Sequence, residues 1–144
     1  MIYVQINWSN VDELVDSIAR KIKMRGLDRL PIFGVPRGGL IPAVMLSHQL
    51  RVPLLTNCSE AGTEGFILVD DILDTGSTFH AFSDLPAVKV KAALYSKGNP
   101  RIKGFEDVIV GQILEASDSR WLLFPWERPE NVKGEILEFK RSRG

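Results

Sequence analysis

Three aspartates and three hydroxyl residues stand together near the middle of the chain, where they could bind a phosphorylated sugar. They follow an apolar run, 66–69, and their sequence is Asp-Asp-Ile-Leu-Asp-Thr-Gly-Ser-Thr over residues 70–78. Charge at the end of a buried strand is costly unless it is solvated, paired or coordinated to a ligand. Asp70 and Asp71 can accept hydrogen bonds from sugar hydroxyls or hold a hydrated Mg²⁺ ion.

The loop after the acid pair has the features of a phosphate-binding site. Thr75, Ser77 and Thr78 offer hydroxyl groups, and Gly76 lets the backbone approach a ligand closely. Successive backbone N–H groups in such a turn form an anion-binding concavity, and a helix that begins at Thr78 adds partial positive charge. A phosphate loop beside a hydroxyl-binding acid pair predicts a ribose phosphate ligand.

The same stretch resembles the phosphoribosyl pyrophosphate (PRPP) signature of the type I phosphoribosyltransferases, in which an apolar run precedes Asp-Asp-x-x-Asp-Thr-Gly-x-Thr. P-loop NTPases also place Asp-Asp after an apolar strand, but Gly-x-x-x-x-Gly-Lys-Ser/Thr occurs nowhere in this chain. Receiver domains carry their acid pair after the first strand rather than a central one. A purely structural acid pair is the third alternative.

A glycine-rich turn earlier in the chain offers a second anion-binding segment. Pro36-Arg37-Gly38-Gly39 lies between an apolar run, 31–35, and a segment with helical spacing, 40–50. A strand, a turn and a helix in this order direct N–H groups and the Arg37 guanidinium toward one ligand. A tight turn without a binding role is the alternative. The resemblance implies that Pro36, Arg37, Gly38 and Gly39 form the pyrophosphate loop.

Two tryptophans, Trp121 and Trp126, enclose the sequence Leu-Leu-Phe-Pro. Aromatic faces stack on bases, although large apolar residues are also commonly buried in the core. The segment is similar to Trp-x-x-x-Pro-Trp-Asp/Glu in the xanthine-guanine branch of the family. That resemblance implies that Trp121 stacks on a purine, that the Leu122 backbone contacts the purine edge and that Lys97 donates to its 6-oxo group. A solvent-exposed lysine at a strand end is the alternative for Lys97.

The resemblance implies an enzyme of purine salvage. It would transfer the ribose 5-phosphate of PRPP to guanine, xanthine or hypoxanthine and release pyrophosphate, with PRPP, a purine base and Mg²⁺ as its ligands. Asp70 and Asp71 would hold the ribose hydroxyls directly or through Mg²⁺. Asp74 would assist proton transfer at the base, and the loop from Asp74 to Thr78 would bind the 5-phosphate. A lysine donor favours 6-oxopurines over adenine, whose 6-amino group is itself a donor.

Residues 57–64 depart from the family pattern. Those enzymes carry a long flexible hairpin here, whereas this chain has Asn-Cys-Ser-Glu-Ala-Gly-Thr-Glu, with two glutamates and no Lys or Arg. Closure of a lid excludes water and completes the charge around the substrate. A shortened lid leaves a second function open, a regulatory module that binds PRPP or a nucleotide with little or no catalysis.

Alternating elements must position these residues. Apolar runs predict strands at 2–6, 31–35, 52–56, 66–69, 88–95, 107–113 and 135–139, and helical spacing or helix caps predict helices at 9–25, 40–50 and 79–85. Strands that alternate with helices predict an α/β fold with a mostly parallel sheet. We expect one domain over 1–144, with a small C-terminal base-binding segment.

The composition limits the partners and the compartment. The 18 Lys and Arg residues balance 18 Asp and Glu residues among 144, which argues against a nucleic acid or a membrane surface as partner. Cys58 is the only cysteine, so an intrachain disulfide is excluded, as is typical of a reducing compartment. The chain shows neither a signal peptide nor an apolar run of membrane-spanning length. We expect a cytoplasmic protein and, from the resemblance, a homodimer or a tetramer.

Overall fold

A computed structural model describes residues 3–82, 85, 87–105 and 107–130. In chain order, the elements are β1 (Tyr3–Gln5), α1 (Trp8–Met24), β2 (Ile32–Gly34), α2 (Leu40–Leu50), β3 (Phe66–Leu73), α3 (Ser77–Phe82), β4 (Val88–Lys97), β5 (Ile109–Leu114) and β6 (Trp121–Leu123). Two 3₁₀ turns occupy Cys58–Glu60 and Pro100–Lys103. The strand predicted at 135–139 lies outside the described residues. No helix in the described part is long and apolar enough to cross a membrane.

The main sheet has four strands in the order β2-β3-β4-β5, and every neighbouring pair is parallel. Strands β3 and β4 lie in the centre, and residues 66–69 of β3 are fully buried. Parallel strands join through crossover segments, so both faces of such a sheet become covered and its strands are apolar throughout. The predicted α/β class with a mostly parallel sheet is confirmed.

Two hydrophobic clusters cover the two faces of this sheet. On one face, α1 and α2 pack against β3 and β4, with Ile18, Leu46 and Leu94 among the buried residues. The apolar positions of α1 recur at helical spacing, which gives the helix one buried side. On the other face, Phe79 and Phe105 pack against the opposite side chains of β3 and β4.

Helix α1 begins at Trp8, one residue before the predicted segment 9–25. In the sequence, Ser9 and Asn10 have the form of a helix cap, with Glu13 as the capping-box partner of Asn10. In the structure, the Asn7 side chain accepts a hydrogen bond from the Asn10 amide at 2.8 Å, and the Asn10 side chain accepts one from the Asn7 amide at 3.0 Å. Asn10 is instead the reciprocal partner in a capping box that Asn7 opens.

The strand predicted at 52–56 is reduced to a single bridge, which joins Leu54 to Ile32. The Ile32 amide donates to the Pro53 carbonyl at 3.0 Å, and the Leu55 amide donates to the Ile32 carbonyl at 2.7 Å. Proline has no N–H to donate to a ladder. Pro31 directly precedes Ile32, and Pro53 directly precedes Leu54. Because neither proline can donate an N–H group, the pairing does not extend into a strand.

Candidate active site

Strand β3 carries the acid pair inside the sheet rather than at its end. Asp70 pairs with Ala93 of β4, and the pairing continues to Leu73, which lies opposite Ser96. Only 7% of Asp70 is exposed. The sequence places the strand end before Asp70, but the strand continues for two further apolar residues, Ile72 and Leu73, which keep the pairing with β4.

Burial dominates the electrostatics of the two carboxyl groups. It raises the pKa of Asp70, although hydrogen bonds from Asp71 oppose the shift. The pKa of Asp71 rises to about 8, first because of burial and second because of repulsion by Asp70. The Asp71 amide donates to Asp70 Oδ1 at 2.8 Å, and the Ile72 amide donates to Asp71 Oδ1 at 2.8 Å. A proton or a cation at this pair would therefore be stabilised.

The predicted phosphate loop leaves β3 in a tight turn. Gly76 has a φ of +84°, a conformation that other residues rarely adopt. The Thr75 and Ser77 hydroxyl oxygens lie 3.1 Å apart, and the Ser77 amide donates to Thr75 Oγ1 at 3.3 Å. Helix α3 then begins at Ser77, two residues before the predicted helix at 79–85, and runs to Phe82. Residues 83 and 84 lie outside the described residues.

The glycine-rich turn lies against the acid pair. A Cβ atom on Gly38 would lie 2.2 Å from Asp71 Oδ2, so the turn backbone and this carboxylate are in direct contact. The Gly39 amide donates to the Val35 carbonyl at 2.8 Å, which closes the turn. The peptide bond between Pro36 and Arg37 is cis. The two segments with anion-binding features, separated in the sequence, meet at one edge of the sheet.

Lys97 is buried at the end of β4, with 3% of the residue exposed. The pairing of β4 with β5 extends to Lys97 and Leu114, so the strand ends two residues later than predicted. The Lys97 ammonium donates to the Arg120 carbonyl at 3.2 Å, directly before Trp121. The alternative of a solvent-exposed lysine is therefore wrong.

The two tryptophans have different environments. Trp121 is half-buried in β6, which pairs in parallel with β1, with Trp121 opposite Tyr3. Trp126 stacks on Phe124 with ring centroids 4.8 Å apart and planes within 6° of parallel. A second aromatic contact joins Trp126 to Trp8 at 6.0 Å.

Asp118 is an acidic residue whose pKa is affected by Arg120 and Lys97. Hydrogen bonds from Arg120 lower the pKa of Asp118 to about 2, and the charges of Arg120 and Lys97 add to the shift. The Arg120 guanidinium donates to both Asp118 carboxylate oxygens, at 3.0 and 2.8 Å. Asp118 is therefore held as an anion beside the segment that leads into Trp121.

These segments enclose one cavity of about 1160 Å³. Its walls are formed by residues 35–38, 70–79, 97, 121, 122, 124 and 126–128. Every residue that the sequence predicts for the site lines this cavity except Gly39, which lies behind the turn against the Val69 carbonyl. Residues 57–64 contribute nothing to the wall. There the Glu60 carboxylate accepts hydrogen bonds from Thr56 and Asn57.

The prediction of site residues missed part of the cavity wall. Phe124, Trp126, Glu127 and Arg128 line the cavity beside Trp121, and Glu127 accepts a hydrogen bond from the Phe124 amide at 2.9 Å. The Phe-Pro-Trp-Glu sequence after Trp121 was the available signal for three of these residues. No sequence signal marked Arg128.

Named proteins and solved structures are similar to this chain in sequence or in fold. No family model matches the sequence. The xanthine-guanine phosphoribosyltransferase of Gluconobacter oxydans is 29% identical over 147 residues, which cover 87% of this chain and 84% of that protein. The purine phosphoribosyltransferase of Pyrococcus horikoshii aligns with a TM-score of 0.64 and 27% identity, over 89% of this chain and 96% of that one. The chain is therefore similar to the type I phosphoribosyltransferases in sequence and in fold.

A second solved structure shows likeness in the fold alone. A hypothetical protein from Neisseria gonorrhoeae, solved with bound ppGpp, aligns with a TM-score of 0.68 and 18% identity, over 98% of this chain and 96% of that one. The family resemblance inferred from residues 66–78 is thus confirmed across most of the chain.

The acid pair of this protein fits the requirements of Mg²⁺. Among the described residues, no group of three or more His, Cys, Asp and Glu side chains converges on one point. Mg²⁺ is commonly held by one or two carboxylates and completes its coordination with water and substrate phosphates. Because burial raises the pKa of both Asp70 and Asp71, a divalent cation beside them would stabilise their charged forms.

Proposed function

We propose that this protein transfers the ribose 5-phosphate of PRPP to a 6-oxopurine and releases pyrophosphate. One observation carries the proposal. The acid pair with its phosphate loop, the glycine-rich turn and the segment from Lys97 to Trp121 line a single cavity, although they come from distant parts of the sequence. The names of the homologous enzymes support the same chemistry.

The proposed binding roles follow from the groups that each wall offers. The loop from Asp74 to Thr78 provides N–H and hydroxyl groups for the 5-phosphate. Asp70 and Asp71 accept hydrogen bonds from the ribose hydroxyls, and Mg²⁺ bound there would neutralise charge on the leaving pyrophosphate. Beside the acid pair, Arg37 and the turn backbone provide donors for pyrophosphate.

The proposed reaction forms a bond between a purine nitrogen and C1 of the ribose. The bond from C1 to the pyrophosphate oxygen breaks, and pyrophosphate leaves with the electron pair. Asp74 accepts the proton that the purine loses. Positive charge develops on the ribose ring as the bond breaks, so catalysis depends mainly on positioning and on the nearby carboxylates.

Purine selectivity is assigned to Lys97 and Trp121. A buried ammonium can donate to a 6-oxo group but finds no acceptor in the 6-amino group of adenine. A site built to hydrogen-bond one group rejects an analogue that cannot pair with it, because a buried polar group is then left unpaired. Trp121 offers an aromatic face to the base, a contact worth about 1–3 kcal/mol.

A purine panel tests this proposal. Guanine, xanthine, hypoxanthine, adenine and orotate would each be supplied with PRPP and Mg²⁺, and pyrophosphate release would be measured. We expect turnover with at least one 6-oxopurine and at least tenfold less with adenine. The variant Asp74→Ala should bind PRPP but lose most turnover, whereas Asp12→Ala, on the exposed side of α1, should behave as wild type. Preference for adenine or orotate would contradict the assignment to 6-oxopurines.

A second candidate is a regulatory module that binds PRPP or a nucleotide without turnover. The observation that favours it is the short segment 57–64, which has no Lys or Arg and does not line the cavity. Titration calorimetry with PRPP, guanosine monophosphate and ppGpp, combined with the turnover assay, separates the two functions. Tight binding without pyrophosphate release from any base would favour the module.

A further inference from the structure

The segment between β4 and β5 packs against the outside of the phosphate loop. Lys103 and Phe105 both contact the loop, yet neither lines the cavity, whereas residues 74–79 do. Local contacts stabilise residues 99–104 of this segment. The Asn99 side chain caps the 3₁₀ turn by accepting from the Arg101 amide at 3.0 Å, and Gly104 ends it at a φ of +86°.

Phe105 supports the loop at its glycine. A Cβ atom on Gly76 would lie 2.3 Å from the Phe105 ring, so the ring and the loop backbone are in direct contact. The same ring packs edge-on against Phe79 at 5.9 Å and lies 4.8 Å from His80. The loop and the start of α3 therefore rest on one buried aromatic side chain.

Lys103 fixes the orientation of the first peptide of the loop. Its ammonium donates a hydrogen bond to the Asp74 carbonyl oxygen. The peptide bond from Asp74 to Thr75 is trans, and in a planar trans peptide the C=O and N–H groups point in opposite directions. Because Lys103 holds the carbonyl on the outer side, the Thr75 N–H is directed toward the cavity side. The carbonyl, which would repel an anion, is kept away from it.

Two hydrogen bonds within the loop are exposed, and they join Thr75 to Ser77 at 3.1 and 3.3 Å. A hydrogen bond from an ammonium group is stronger than such neutral contacts. The external contact with Lys103 is therefore well suited to decide which way the loop backbone faces.

We propose that Lys103 is a positioning residue that holds the loop from Asp74 to Thr78 in the conformation that binds phosphate. The inference rests on the proposed function, because it assumes that this loop binds the 5-phosphate of PRPP. Lys103 acts through the backbone of Asp74 and has no contact with the reacting atoms.

Binding of ribose 5-phosphate tests the inference, since this ligand carries the phosphate and the ribose but neither pyrophosphate nor a base. The variant Lys103→Met removes the donor and keeps an apolar side chain, while Lys103→Arg keeps a donor and the charge. Arg101→Met is the matched control, because Arg101 is an exposed cation on the same 3₁₀ turn. Dissociation constants would be measured by titration calorimetry, and thermal unfolding would verify the fold of each variant.

We expect Lys103→Met to weaken ribose 5-phosphate about tenfold, while Lys103→Arg stays within about threefold and Arg101→Met within about twofold of wild type. In the transferase assay, Lys103→Met should raise the KM for PRPP and leave the KM for the base unchanged. If Lys103→Met is poorly folded, the same comparison is made with Lys103→Gln.

Two results would overturn the inference alone. One is equal binding by wild type and Lys103→Met, and the other is an equal loss in Arg101→Met, which would indicate a general effect of charge. Failure of the wild-type protein to bind ribose 5-phosphate would instead overturn the proposed function, and this inference with it.

Discussion

At the scale of single residues, the acid pair combines two requirements that oppose each other. The carboxyls of Asp70 and Asp71 must lie close together to hold two neighbouring hydroxyls or one cation. Burial inside the parallel sheet raises the pKa of both carboxyls, and repulsion by Asp70 raises the pKa of Asp71 further. The site is therefore costly to fold without its ligands, which is common where residues serve binding rather than stability.

The raised pKa of Asp71 predicts a pH dependence of stability. An acid whose pKa is higher in the folded protein binds more protons when folded, so the free energy of unfolding falls as the pH rises from the unfolded to the folded pKa. For Asp71 this window runs from 3.8 to about 8. We expect the free energy of unfolding of the metal-free protein to fall across this window.

Urea unfolding in the presence of a chelator, at several pH values, measures this dependence. Asp71→Asn should flatten it and should be more stable than wild type at the upper end of the window. The pKa of Asp118 is lowered to about 2, so this residue changes the free energy of unfolding in the opposite direction, and only below its ordinary pKa of 3.8. Asp12→Asn serves as the exposed control. A slope in Asp71→Asn that equals the wild-type slope would contradict the assignment to this carboxyl.

At the scale of elements, the turn between β2 and α2 is fixed by backbone contacts at its glycines. A Cβ atom on Gly39 would lie 2.2 Å from the Val69 carbonyl oxygen and 2.9 Å from the Val35 amide nitrogen. Both are backbone atoms, Val69 in β3 and Val35 directly after β2, and they are joined by a hydrogen bond of 2.8 Å, so they cannot move away without disturbing the sheet. The shape of the anion-binding turn and the packing of the sheet therefore depend on the same residue.

We expect Gly39→Ala to destabilise the protein by about 2–4 kcal/mol, because backbone atoms must shift to accept the methyl group. Gly62→Ala is the matched control, since a Cβ there would meet nothing within 4 Å. It should change stability by about 1 kcal/mol or less. Urea unfolding of both variants checks the pair. Equal stability of the two would show that the turn adapts to a side chain.

The sequence predicted the elements best where one signal dominates. Helix α2 has the predicted bounds, Leu40–Leu50, because a glycine pair and a proline mark its start. The predictions were poorer where tertiary pairing extends a strand, as at Lys97 in β4, whose added residues pair with β5. The segment 52–56 has the residue types of a strand, yet Pro53 within it and Pro31 before its partner Ile32 have no N–H group to extend the pairing.

The site residues could be predicted where they are contiguous in the chain. Residues 70–78 form a compact motif, and the turn from Pro36 to Gly38 has a recognisable composition. Lys103 could not be found in this way, because its contact with Asp74 spans 29 residues and involves a backbone carbonyl. Backbone carbonyls have no signature in a sequence, so partners of this kind emerge only from the structure.

At the scale of the whole molecule, the described residues 57–64 do not line the cavity. Lid closure normally excludes water while positive charge develops on the ribose. Here residues 57–64 form a short 3₁₀ turn whose Cys58 and Ala61 pack against the hydrophobic cluster of Phe66 and Phe79. The segment therefore contributes to the core rather than to the wall of the site.

This arrangement predicts that water competes with the purine. We expect PRPP hydrolysis in the absence of any base, at a few per cent or more of the transfer rate, because a water molecule can reach C1 of the ribose. Pyrophosphate release with and without purine measures the ratio. Asp70→Asn should slow both reactions together, which separates this hydrolysis from a contaminant. Transfer with no hydrolysis above background would indicate that another part of the assembly covers the site.

The pairing of β1 with β6 also constrains the order in which parts of the protein can fold. It joins residues 118 positions apart, such as Gln5 and Leu123, and contacts of such long range form slowly because a large loop must close first. The segment from Ile32 to Phe105 contains the acid pair, the phosphate loop and its support, and it leaves the ribosome before Trp121. During synthesis, the segments proposed to bind the sugar phosphate can therefore fold before the segment proposed to bind the base.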